Sequence, residues 1–151
     1  MMHMHHDTDS LTALPCICTA LRKASRAVTR AYDEVMEEAG MSVAQFSILR
    51  HLARHGPLPL SRLAELLVME RTTLYRALGP IERHGWVTIA EGAGRAKIAT
   101  LSPAGHQAIA DATAGWAKVQ TAMLEQIGAD DWQELEAALA RIVAATRECG
   151  A

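Results

Sequence analysis

Apolar positions near the start of the chain recur at alternating steps of four and three: Ile17, Leu21, Ala24, Val28, Ala31 and Val35. That spacing lays a single narrow stripe along a helix, of the kind that forms a coiled-coil seam. Pro15 suits the first turn of this helix and Gly40 its end. Ser42 with Gln45 three residues on is a capping-box signature, so a second helix starts there, with Phe46, Leu49 and Leu52 or Ala53 on its apolar face. Gly56-Pro57-Leu58-Pro59 breaks it. Residues 61–67 predict a short helix on Leu63, Leu66 and Leu67, and residues 68–70 a turn. Residues 71–84 predict another helix, with Leu74, Leu78 and Ile81 as its buried stripe and a kink at Gly79-Pro80. Residues 86–90 and 97–101 read as strands of a hairpin turning through Gly92 and Gly94. Ser102-Pro103 opens a long helix striped by Ile109, Ala112, Trp116, Val119, Met123 and Ile127, which Gly128 stops. A last helix begins at Asp130 or Asp131 and carries Trp132, Leu135, Leu139, Ile142 and Val143.

The predicted fold is mainly α with a small β-hairpin. Two short helices joined by a tight turn and followed by a hairpin make a winged helix-turn-helix, over about residues 43–101. The flanking stripes, at about 14–39 and 103–148, cannot all be buried by one small chain and predict dimerisation helices. The domain runs over 11–151 behind a flexible polar tail, Met1–Ser10.

Composition agrees with helix packing: half the 151 residues are apolar but only 4% are aromatic. No apolar run approaches the ~20 residues that span a bilayer, and Met1–Ser10 has no signal-peptide core. The expectation is a cytoplasmic protein without membrane contact. Three cysteines there do not make a disulfide framework. The net charge of −2 conceals an uneven distribution. Residues 43–100 hold eight cations and four acids, net +4, and the remainder is net −6. Phosphates respond to charge within a Debye length of about 8–10 Å, so the local excess is what matters for nucleic acid.

The second short helix fits a major groove about 12 Å wide. Arg71, Thr72, Thr73, Tyr75 and Arg76 lie on its exposed N-terminal part, where hydroxyls meet phosphates or base edges and Arg76 can fork onto guanine. Arg95 at the hairpin tip suits a minor groove, with Lys97 behind it.

The segment SVAQFSILRHLARHGPLPLSRLAELLVMERTTLYRALGPIERHGWV, with GRAKIATLSPAGHQAI after it, resembles the MarR family of bacterial regulators, over about residues 11–148. The resemblance implies a homodimer, usually a repressor, on a pseudo-palindromic operator in double-stranded DNA. It implies dimerisation through the first and last two helices. It also implies a pocket for a small aromatic effector between those helices and the DNA-binding lobe; Trp116 and Trp132 either pack in the dimer core or line that pocket. The wing departs from the family pattern: Ala93 stands where an Asp usually precedes the wing arginine, and the wing is about two residues shorter.

Cys16-Ile17-Cys18 falls at the start of the first helix, where the helix dipole and nearby Arg22 and Lys23 favour a thiolate. The segment CTALRKASRAVTRAY resembles the peroxide-sensing OhrR branch, which puts the sensor at Cys18 with Tyr32 fourteen residues on. Arg22 and Val43 replace two further tyrosines of that branch. Cys16, Cys18 and Cys149 are thus candidate oxidant sensors, inert packing thiols, soft-metal ligands or partners in an intersubunit disulfide. His51 and His55 share a helix face but lack an identifiable third ligand, so they read as a surface pair, and no metal or cofactor is expected. No catalytic constellation is visible: no His base at recognisable spacing from Cys18, no phosphate loop, no paired carboxylates. A thiol-dependent, peroxide-reactive enzyme and a winged-helix adaptor that has lost its DNA are the alternatives. Retention of Arg71, Arg76 and Arg95 opposes the second.

Overall fold

The computed structural model describes residues 13–150. The polar tail at Met1–Ser10, with His3, His5 and His6, lies outside the described residues. Helix α1 is Ile17–Met36, and a 3₁₀ turn, Glu37–Ala39, leads to Gly40 in the left-handed region at φ 69°. Pro15 does not enter the first turn. Cys16 is the N-cap, in extended backbone, and its sulfur accepts the Thr19 N–H. Helix α2, Val43–His55, begins with the predicted capping box: Ser42 Oγ accepts the Gln45 N–H at 3.1 Å, and Gln45 Oε1 accepts the Ser42 N–H at 3.0 Å. Asp33 of α1 adds a third cap by accepting the Val43 N–H at 2.8 Å. Of the predicted alternatives Leu52 is buried and Ala53 exposed, and Ile48 joins the buried face.

Next come β1 (Leu58–Pro59), α3 (Leu60–Leu67), α4 (Arg71–Arg83), β2 (Val87–Glu91) and β3 (Lys97–Leu101). The predicted hairpin is therefore part of a three-stranded antiparallel sheet, ordered β1-β3-β2, with Leu58 opposite Ala99 and Glu91 opposite Lys97. The segment that breaks α2 also supplies the edge strand; Pro59, with no N–H to give, is tolerated at an edge. Helix α4 continues through Pro80 to Arg83. Helices α5 (Pro103–Ile127) and α6 (Ala129–Cys149) complete the chain. None of these helices is long and apolar enough to cross a membrane.

The core lies in the winged-helix lobe and against α1 and α5. Met36, Phe46, Leu49, Leu52, Leu63, Leu74, Leu78, Ile81 and Val87 are almost wholly removed from solvent. Helix α5 is seated on the corner between α4 and β2. Ser102 caps it by accepting the Gly105 N–H at 3.0 Å, and the same hydroxyl donates to the Gly85 carbonyl. The Ser102 N–H donates to the Trp86 carbonyl at 2.9 Å. A Cβ at Gly105 would clash with that Trp86 carbonyl oxygen. Helix α1 approaches α5 closely at Gly115, where a Cβ would stand 3.3 Å from the Val35 carbonyl oxygen.

The outer helices are different. Only Tyr32 and Met36 of α1 are buried, and α6 has no buried residue. Ile17 is 62% exposed and Leu135 41%; Val28 and Val143 are also exposed. These residues belong to the stripes that the sequence pattern assigns to dimerisation.

Candidate nucleic-acid interface

Helix α4 is fixed from behind and bare in front. Leu74, Leu78 and Ile81 pin it to the core, and all are almost fully buried. Arg71, Thr72, Thr73, Tyr75 and Arg76 are exposed, as predicted from the same periodicity. Its N-cap, Glu70, makes no side-chain cap, so the first-turn N–H groups are open to an acceptor such as phosphate. The preceding turn is tight because Val68 adopts the left-handed region at φ 53°.

The wing is closed by a hydrogen bond from the Gly92 N–H to the Ala96 carbonyl at 2.7 Å, with Gly94 at φ 70°. Arg95 and Lys97 are exposed on it. Tyr75 of α4 and Lys97 of β3 line one cleft of about 310 Å³, together with Leu60, Glu82 and Glu91. Helix α4 and the wing thus adjoin across this cleft, and none of Arg71, Arg76, Arg95 and Lys97 is in an ion pair among the described residues.

A second cleft, of about 890 Å³, lies between that lobe and the long helices. It is lined by Trp116 and Trp132 together with Tyr32, Phe46 and Gln120. It also gathers Arg50, His51, Arg54 and His55, which helical spacing alone presents only as surface residues. Trp116 packs on Phe46 with ring centroids 5.7 Å apart, and the Arg50 guanidinium lies over the Trp116 ring at 4.5 Å. His51 Nδ1 is 2.7 Å from the Ser47 carbonyl oxygen and donates to it, leaving Nε2 directed elsewhere. Among the described residues no group of three metal-ligating side chains forms.

The thiols are all exposed and unpaired. Cys16, not Cys18, holds the N-cap. The Thr19 hydroxyl donates to Cys16 Sγ at 3.2 Å and the Thr19 N–H at 3.4 Å, which holds the Cys16 thiol below the usual thiol range. Cys18, in the first turn of α1, and Arg22, one turn further on, are exposed to solvent. Tyr32 is about 21 Å further along α1 at 1.5 Å per residue, so the two ends of the predicted pair do not meet within one chain. The Tyr32 hydroxyl instead donates to Gln120 Oε1, and burial pushes its phenol up.

A MarR family model matches residues 39–96. The transcriptional regulator MosR of M. tuberculosis, solved in complex with DNA, superposes with a TM-score of 0.83 at 31% identity, covering 91% of this chain and 100% of that one. A second MosR structure gives 0.78 at 30% identity, covering 89% and 97%. The S. aureus MepR–DNA complex shares the fold, with a TM-score of 0.75 at 17% identity, covering 88% and 99%. A search of curated proteins finds no match. With its helix-turn-helix matched by the family model and nearly a third of its residues identical along the whole of MosR, the chain belongs to the MarR family of transcriptional regulators.

Proposed function

We propose that the chain acts as a homodimeric, DNA-binding repressor whose affinity an effector alters. One observation carries this reading: the exposed face of α4 and the adjoining wing present Arg71, Arg76, Arg95 and Lys97, none of them held in an ion pair among the described residues. Arg71, Thr72, Thr73, Tyr75 and Arg76 enter the major groove, while Arg95 reaches the flanking minor groove and Lys97 a phosphate. Two copies related by a two-fold axis read a pseudo-palindrome whose half-sites lie about one helical turn, or a multiple of it, apart. MosR, 31% identical and solved in complex with DNA, supports the DNA-binding reading.

The test is binding to a labelled duplex from upstream of the protein's own gene. Affinity should fall steeply with salt. Absence of binding at low salt would refute the proposal.

The signal has two supported readings. The cleft around Trp116 and Trp132 offers aromatic walls and a rim of cations, suited to a small aromatic ligand. The Thr19–Cys16 contact favours a thiol sensor instead. In that case the Cys16 thiolate attacks the distal oxygen of an organic hydroperoxide; an S–O bond forms and the O–O bond breaks, leaving a sulfenic acid on the protein, and the departing alkoxide takes a proton from water to become the alcohol. DNA binding with and without hydroperoxide, in wild type, Cys16→Ser and Cys18→Ser, separates the readings. Release lost only in the Cys16 variant supports the thiol. No response in any of the three supports the cleft.

A further inference from the structure

Helix α3 carries the single ion pair among the described residues, Arg62 Nη1 to Glu65 Oε2 at 3.1 Å. Its inner face is spent on the core: Leu60, Leu63 and Ala64 are buried. Arg62 and Glu65 therefore point outward, and their side chains are 57% and 69% exposed. As a stabilising device the pair is badly made. It is exposed and screened by salt. Arg62 sits in the first turn of α3, where a cation opposes the helix dipole. An acid preceding its cation along the helix is the better order, and here the cation precedes the acid.

Its position suggests another use. Helix α3 follows directly from β1, which pairs Leu58 with Ala99 and Pro59 with Ile98, so the first turn of α3 lies at the base of the wing that bears Arg95 and Lys97. When the second helix of a helix-turn-helix lies in the major groove, the first crosses the phosphate backbone. We propose that Arg62 is a phosphate-binding residue held back by Glu65, so that Glu65 sets the affinity of the lobe for DNA. The proposal rests on the DNA-binding reading above. Phosphate and the Glu65 carboxylate compete for one guanidinium; a phosphate that captures it displaces Glu65 and releases one condensed counterion from the duplex.

The experiment uses the full chain, the labelled upstream duplex and a random-sequence duplex of equal length. Arg62→Ala should weaken binding to both alike, by about fivefold at physiological salt, and reduce the log–log salt slope by about one. Glu65→Gln should tighten binding by about two- to fivefold, the worth of an exposed pair. That gain should vanish in Arg62→Ala/Glu65→Gln. If Glu65→Gln tightens binding equally with and without Arg62, Glu65 acts only as a general negative charge and the proposal fails. It fails also if Arg62→Ala leaves affinity and slope unchanged, or if Glu65→Gln has no effect. Should wild type bind neither duplex, the DNA-binding reading itself is lost. Both side chains are exposed, and unchanged thermal unfolding would show that each variant folds.

Discussion

A left-handed backbone costs an L-residue about 1–2 kcal/mol, more so when it is β-branched, and Val68 bears that cost at φ 53° with its side chain in solvent. Val68→Gly should raise stability by about 1 kcal/mol in urea denaturation. Gly105 is the opposite case. Its missing Cβ is what lets α5 sit on the Trp86 carbonyl, and Gly105→Ala should cost about 2 kcal/mol in the same assay. At Cys16 the prediction concerns pH. The Thr19 donors stabilise the thiolate, so in the folded protein Cys16 deprotonates at lower pH than in the unfolded chain. Its alkylation rate should rise through a lower midpoint when folded, and Thr19→Val should move that midpoint up. The exposed residues of α4 follow from helical period alone. The roles of Cys16 and Tyr32 do not. Which cysteine caps α1 depends on whether the helix begins at or after Pro15. The partner of Tyr32 is Gln120, 88 residues away, and no local pattern encodes a hydrogen bond at that distance.

Helices α2 and α5 begin where capping chemistry fixes them, at Ser42 and Ser102, and these boundaries are written in adjacent residues. Strand β1 has no such signature. It is two residues long and exists only because β3 supplies its partner some forty residues later. The large cleft is equally non-local, since α1, α2, α5 and α6 each contribute a wall. Spacing therefore reveals the aromatic candidates Trp116 and Trp132 but not that Arg50 stacks on the first of them. At this scale the wing and α4 should separate cleanly. Arg76→Ala should cost about 1–3 kcal/mol of operator binding and relax specificity at one base pair. Arg95→Ala should weaken binding with less change in base preference in the major groove. Competition assays on single-base operator variants distinguish the two.

For the molecule as a whole, the unburied stripes of α1 and α6 are the dominant fact. Leu135→Asp should shift the chain from dimer to monomer in sedimentation and lower operator affinity, because two half-sites are then read independently. The seam that makes this legible is the four-three spacing in α1; the geometry of the second copy against it is not encoded in any single segment.

Helix α6 spans 21 residues, none of them buried by its own chain. In an unpaired chain such a helix opens and closes at little cost, and an open helix is a protease substrate. Stability of a pairing-dependent fold also rises with its own concentration. The lifetime of each copy therefore depends on how many others surround it. Diluted below its pairing concentration, the chain should be cut within α6 by added protease faster than when paired, and limited proteolysis over a dilution series measures that difference.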